Sequence, residues 1–158
     1  MADPAGAAPD APVQYPEFLV PQSLQRLVYE STATGSTESL LNIATILGVS
    51  QRNNDRDDLT GALAAHGGRF IQVVEGEPGR LDALLARLAS DPRHRDIRLI
   101  DRETISERLF GQWSMASLRT SPQLTDMVEA VMERRDHTAQ SIVDAMLAGL
   151  NSGPAATV

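Results

Sequence analysis

The sequence predicts an α+β fold of the ferredoxin-like, split βαβ kind: a five-stranded mixed sheet with two helices on one face, followed by a helical hairpin. Three observations point there. Strand-like and helix-like patterns alternate as strand, helix, strand, strand, helix, strand, strand, and the first six match the split βαβ order. Gly67-Gly68 separates two of the strand-like runs, as the tight turn of a β-hairpin does. After Arg119 the pattern switches to two successive amphipathic stripes of helical spacing.

Residues 1–22, which open "MADPAGAAPDAPVQYPEF", are rich in Ala and Pro and lack periodicity. Such a composition does not order itself. An extended or partly disordered arm is expected, with Tyr15, Phe18, Leu19 and Val20 able to dock on the body. "LQRLVYES", from Leu24, has the β-branched and aromatic content of a strand. A helix follows, with Ser36 or Thr37 as N-cap and Leu40, Leu41, Ala44 and Leu47 on one face. "SQRNNDRDD" reads as a polar loop. Strands over Leu59–His66 and Arg69–Glu75 flank the glycine turn, and "GEPG" breaks the chain. "RLDALLARLAS" is a second amphipathic helix carrying Leu81, Leu84, Leu85 and Leu88, closed by Asp91-Pro92.

"IRLIDRETI" and "QWSMASLR" supply the last two strands. Right-handed crossovers then put the first and third strands side by side in the centre, with both helices on one face. Ser121-Pro122 starts a helix bearing Leu124, Met127, Val128, Val131 and Met132. A second helix bears Ala139, Ile142, Val143, Met146, Leu147 and Leu150. Both stripes need cover, from the open sheet face or from another molecule. The expected division is an arm over 1–22, a body over 23–119, a two-helix extension over 120–150 and a disordered tail over 151–158.

The chain has 158 residues, 42% of them hydrophobic and 22% charged, as expected of about one soluble domain. A formal net charge of −7 argues against a general nucleic-acid binder or a polybasic membrane-surface protein. With no cysteine there is no disulfide, thiolate ligand or thiol nucleophile. His66, His94 and His137 are not spaced as a metal cluster, so no metal is expected. No secretory signal and no long apolar run occur, so a cytoplasmic location without membrane contact is the expectation.

Polar residues inside the predicted sheet carry the functional reading. Tyr29 shares its side with Leu27, and Gln72 shares its side with Phe70 and Val74, on what should be adjacent central strands. An unpaired buried amide costs about 1–3 kcal/mol. A phenol can satisfy part of an amide, and the remainder calls for a water or a ligand. Asn53 and Asn54 nearby offer amides that match the edge of a heterocycle. The residues thus describe a cleft between two helices for a flat molecule with a polar edge. The plainer alternative has Tyr29 and Gln72 bonding each other or backbone, and Asn53-Asn54 forming a turn.

Tyr29 in "LVYES", Asn54 in "SQRNNDRDDLTGAL", Gln72 in "GRFIQVVEG", "DPRH" at 91–94, and Trp113 and Met115 in "FGQWSM" resemble the BLUF family of blue-light sensors that use FAD. The resemblance runs from about Leu24 to Leu118 and is of the short photoreceptor type. It implies Tyr29 as electron and proton donor, and Gln72 as the bridge from Tyr29 to the flavin. Asn54, with Asn53, would hold the opposite edge of the ring. Trp113 and Met115, placed on one side of the last strand, would flank Gln72. Arg87 matches a position that reaches the ring, and Arg93 and His94 match the stretch near the phosphates.

On this reading light rearranges the hydrogen bonds of Gln72, and the signal leaves through the last strand and the C-terminal helices. The expected recipient is a downstream protein partner or the chain's own homo-oligomer, with no enzymatic activity. Two other readings stand beside it. One is a flavin-free regulatory module of the same fold. The other is a small acylphosphatase-like enzyme, disfavoured because "ESTATGSTE" contains no Arg.

Overall fold

Alternation along the strands divides the molecule into two cores. In β1 (Leu24–Ala33), Leu27 and Tyr29 join the apolar cluster on one sheet face, and Val28 joins the cluster on the other. β3 (Arg69–Gly76) does the same, with Phe70 and Val74 on the first face and Ile71 and Val73 on the second. Strands covered on both sides are buried almost throughout, as β3 is. The computed structural model behind this description covers residues 23–37, 39–118, 122–133 and 138–151. The arm over 1–22, the Ser121 cap and nearly all of the 151–158 tail lie outside the described residues.

The sheet order is β4-β1-β3-β2-β5, with β2 at Thr60–His66, β4 at His94–Ile105 and β5 at Ala116–Ser117. β1 is antiparallel to both β3 and β4, whereas β5 runs parallel to β2. The first and third strands are therefore central and the sheet is mixed, as the sequence predicts. Gly67 and Gly68 both have positive φ, 57° and 78°, which a two-residue primed turn requires.

Helices α1 (Leu40–Asp57) and α2 (Pro78–Ser90) cover the face of Leu27, Tyr29, Phe70 and Val74. On α2 the buried Leu81, Leu84 and Leu88 are those of the predicted stripe. α1 departs from expectation in three ways. Its N-cap is Ser39, whose Oγ accepts the Asn42 N–H, because the Thr37 hydroxyl instead accepts the N–H of Gly68. Its apolar face is Ile43, Ile46 and Leu47, while Leu41 is 76% exposed and Ala44 is exposed. Finally, "SQRNNDRDD" is helix rather than loop as far as Asp57. Asn54 and Asp55 bond to Ser114 outside the helix, so these side chains do not compete for its backbone. Asp58, at φ 53° and ψ 44°, then ends α1.

The last strand is shorter than expected. Only Ala116 and Ser117 pair with β2. Ahead of them, the carbonyls of Trp113, Ser114 and Met115 accept from the Gly61 N–H, the Asn54 amide and the Gln51 amide. With those acceptors turned to α1 and to one end of β2, this segment does not extend the ladder. α3 (Pro122–Met132) and α4 (Ala139–Asn151) take the other sheet face. Leu124, Met127, Val128, Val131, Ile142, Val143 and Met146 bury there against Val28, Ala62, Ala64, Ile71, Val73 and Phe110. Of the two covers the stripes allow, the open sheet face supplies theirs.

A buried carboxylate ties the sheet to the loop before β5. Glu75, 0% exposed, accepts the backbone N–H groups of Leu109 and Phe110 at 3.0 and 2.7 Å and the Nε of Arg26 at 2.9 Å. Fully hydrogen-bonded, it avoids the penalty of an unpaired buried charge.

Gly61 is where β2, β3 and that loop converge: its N–H reaches the Trp113 carbonyl, and a Cβ on it would lie 2.1 Å from the Val73 carbonyl oxygen. Gly61→Ala is expected to lower stability by about 1–3 kcal/mol, read as the urea midpoint. An unchanged midpoint would show that β2 and β3 do not approach so closely.

Candidate functional site

Between α1 and α2, above β1 and β3, lies a cleft whose walls follow helical spacing. Ile46, Val49, Ser50 and Asn53 line it from α1; Leu84, Arg87 and Leu88 from α2, with Asp91 just beyond. Both sets step by i, i+3, i+4 and i+7, one face of a helix. The floor is Tyr29, Gln72 and Val74, and Asn54, Arg93, His94 and Met115 complete the lining.

Tyr29 and Gln72 are cross-strand partners in the β1–β3 ladder. The phenol O–H donates to Gln72 Oε1, and the two residues are 1% and 3% exposed. Burial, then the negative charge of Asp91, pushes the Tyr29 phenol well above its ordinary range. It therefore stays a protonated donor at any physiological pH, with its proton directed at an amide that can both donate and accept.

Asn54 is 1% exposed and Asn53 half-buried. One N–H of the Asn54 amide goes to the Ser114 carbonyl, so this residue links the cleft to the segment before β5. On the opposite wall, Arg87 Nη1 pairs with Asp57 at 2.9 Å, while its Nη2 is buried without a partner. Arg93 makes a two-pronged pair with Asp91 at 2.9 and 2.7 Å. His94 is buried, its Nδ1 is 2.9 Å from Ser31 Oγ, and its ring lies 5.0 Å from that of Phe70. Burial lowers the His94 pKa from its ordinary 6.5, with Asp91 partly opposing.

The structure thus brings Tyr29, Asn53, Asn54, Gln72, Arg87, Arg93, His94 and Met115 to one cleft. It does not bring Trp113. Trp113 packs on the core beneath α3 and α4, whereas the buried Met115 belongs to the core beneath α1 and α2. The expected sharing of one strand side fails because neither residue is in a strand. Asp57 and Asp91, read from sequence as loop and helix end, brace the arginines of the walls. Continuing the helical period of Ile46, Val49 and Asn53 through Asp57 was the available signal for the first of them.

Apolar walls, a phenol–amide floor and amide and guanidinium groups at the sides suit a flat heteroaromatic ring with donors and acceptors along its edge. The buried, partnerless Nη2 of Arg87 is the observation that tests the fit, since it requires an acceptor that the protein does not supply. Among the described residues no group of His, Cys, Asp or Glu could hold a metal ion, and no helix is long and apolar enough to cross a membrane.

Comparison with known proteins places these features in context. A family model described as "Sensors of blue-light using FAD", BLUF, matches residues 24–116. Photoactivated adenylate cyclase subunit beta of Euglena gracilis is 31% identical over 112 residues, 67% of this chain and 13% of that protein. The blue light- and temperature-regulated antirepressor BluF of Escherichia coli (strain K12) is 25% identical over 121 residues, 77% of this chain and 27% of the relative. This chain therefore spans only a small part of the length of these curated relatives. Among solved structures, the dark state of BlrB, a BLUF protein, superposes with a TM-score of 0.65 at 28% identity, covering 83% of this chain and 97% of that one.

His94 gives the cleft a measurable pH signature. Its native pKa lies below the unfolded value of 6.5, so as pH falls through 6.5 the unfolded chain takes up a proton that the native chain refuses. The contribution is fully present above 6.5 and is lost as pH falls toward the native pKa. Imidazole titration by nuclear magnetic resonance should give His94 a midpoint below 6.5. A midpoint at or above it would contradict the buried, neutral ring.

Proposed function

The chain belongs to the BLUF family, sensors of blue light using FAD, and we propose that it is a blue-light photoreceptor in which Tyr29 and Gln72 are the photoactive pair. The observation that carries this is the hydrogen bond from the Tyr29 phenol to the Gln72 carboxamide, buried on the floor of the cleft. Asn53 and Asn54 would hold one edge of the cofactor ring and Arg87 another, with Arg93 and His94 toward the phosphates.

Bound FAD supplies absorption of blue light and a strongly oxidising excited state. Tyr29 would be the electron donor to that excited state, and its hydrogen bond directs the phenol proton, acidified by such a loss, to Gln72. Gln72 suits that role because an amide accepts through its oxygen and donates through its nitrogen. The role of Gln72 would be to settle afterwards in an altered hydrogen-bonding arrangement. That arrangement is the stored signal, and no covalent chemistry on a substrate is required.

The way out runs through residues 113–118. Met115 lines the cleft, Gln51 and Asn54 hold the Met115 and Ser114 carbonyls, and Trp113 and Leu118 pack in the core under α3 and α4. A change at Gln72 thus has a short packed path to the helical hairpin, whose altered packing would be read by a protein partner or by a second copy of the chain. The chain acts here as a sensory module rather than an enzyme, in the cytoplasm, without nucleic-acid or membrane contact. The division proposed with this route is an arm (1–22), a flavin-binding body (23–119), a two-helix extension (120–150) and a tail (151–158).

An absorption spectrum before and after blue light tests the reading: a yellow, FAD-loaded chain that shifts reversibly to the red is expected. A chain that stays colourless with added FAD would leave the flavin-free module or the acylphosphatase-like enzyme in its place. Tyr29→Phe and Gln72→Leu should each keep FAD bound and abolish the red shift; a normal photocycle in either would remove that residue from the pair. Hydrogen exchange in α3 and α4 should change on illumination. Identical exchange in light and dark would rule out the hairpin as the output.

A further inference from the structure

Asp57 ends α1, yet it is not the solvated acid its polar neighbourhood suggests. Its side chain is 7% exposed, and three arginines surround it. Arg56 Nε reaches Oδ1 at 3.0 Å and Arg56 Nη2 reaches Oδ2 at 3.0 Å. Arg87 Nη1 reaches Oδ2 at 2.9 Å, and Arg80 stands 3.7 Å from Oδ1. The Arg56 hydrogen bond, ahead of the contribution from Arg87, holds the Asp57 carboxyl at about 2, so it is charged throughout the neutral range.

The consequence lies in the guanidinium of Arg87. That group is planar, so pinning Nη1 to a carboxylate on α1 also fixes where Nη2 points. Arg87 lines the cleft, and Nη2 is buried with no partner. The same carboxylate joins α2 to the C-terminal end of α1, the two elements that wall the cleft.

We infer that Asp57 is a positioning residue of the flavin site: it orients Arg87 so that the partnerless Nη2 is held ready to donate to an acceptor on the bound ring. This rests on the FAD-binding reading given above. Asp57 does not itself touch the cofactor; it acts through Arg87. Arg56 supplies a second cation, which keeps Asp57 ionised and braced while it holds Arg87.

The test is a double-mutant cycle on the full chain loaded with FAD, reading retention of FAD by absorbance after dilution and filtration. Asp57→Asn and Arg87→Gln are each expected to weaken retention about tenfold, the scale of a hydrogen bond to a charged group. The double variant should be no weaker than Arg87→Gln alone. Asp57→Glu should restore part of the loss, and Asp57→Ser, which also removes the carboxylate, stands in for Asp57→Asn if that protein does not fold. The carbonyl stretching bands of bound flavin should move to higher frequency in Asp57→Asn, a change that loss of general stability would not produce. Losses that add in the double variant, or an Asp57→Asn protein with unchanged retention and carbonyl bands, would overturn the inference while leaving FAD binding intact. A wild-type chain that holds no FAD would overturn both.

Discussion

A phenol bonded to a carboxamide across two central strands sets the terms for the rest of this molecule. The β1–β3 register places Tyr29 opposite Gln72, and a one-residue slip would send one of them to the other face of the sheet. Register is in turn fixed by covering both faces: leucines of α1 and α2 on one side, the stripes of α3 and α4 on the other. The pair is tolerable in such a setting because each group satisfies part of the other. It is useful because an amide has a second, nearly equivalent way to be satisfied. Polar groups in an apolar core are either structural or switchable, and the proposed function requires the Gln72 amide to be of the second kind.

Around that pair the chain spends its polar side chains on joining elements that sequence keeps apart. Gln51, Asn54 and Asp55 on α1 hold the segment from Trp113 to Met115. Glu75, three residues beyond Gln72 and on the opposite face, grips the backbone of Leu109 and Phe110. Both ends of the loop that crosses from β4 to β5 are therefore fastened to elements that carry cleft residues. Phe110 and Trp113, within that loop, belong to the core under the helical hairpin. The proposed signalling route would use this packed connection from the cleft floor to the other face, since packed interiors transmit strain.

How much of this was legible in the sequence follows from what each signal measures. Strand alternation and the Gly67-Gly68 turn are local, and together with right-handed crossovers they sufficed for the central pairing of β1 with β3 and for the neighbours Tyr29 and Gln72. The leucine stripe of α2 was legible for the same reason. α1 was harder. Asn53, Asn54, Asp55 and Asp57 look like loop when read by propensity, yet Asn54 and Asp55 are drawn off the backbone by Ser114, distant in sequence, and Asp57 by Arg56 and Arg87. Leu41 was equally misleading, since a leucine on a helix need not face the core. Trp113 and Met115 lie in a strand-like stretch of sequence, but tertiary hydrogen bonds claim their carbonyls. The candidate site was legible as a set of residues, most of which do meet in one cleft. Its bracing was not: the helical period carries Asp57 to the cleft side of α1 but does not reveal Arg87 as its partner, and nothing in "DPRH" marks Asp91 as the partner of Arg93.

The most direct measurement of the central claim is a light-minus-dark infrared difference spectrum of the full chain carrying isotopically labelled glutamine side chains. Rearrangement of the Gln72 amide predicts label-sensitive bands that appear on illumination and disappear on return to the dark. Flavin bands that shift with light while no label-sensitive band changes would contradict the account, because the amide would then be a bystander to the photochemistry.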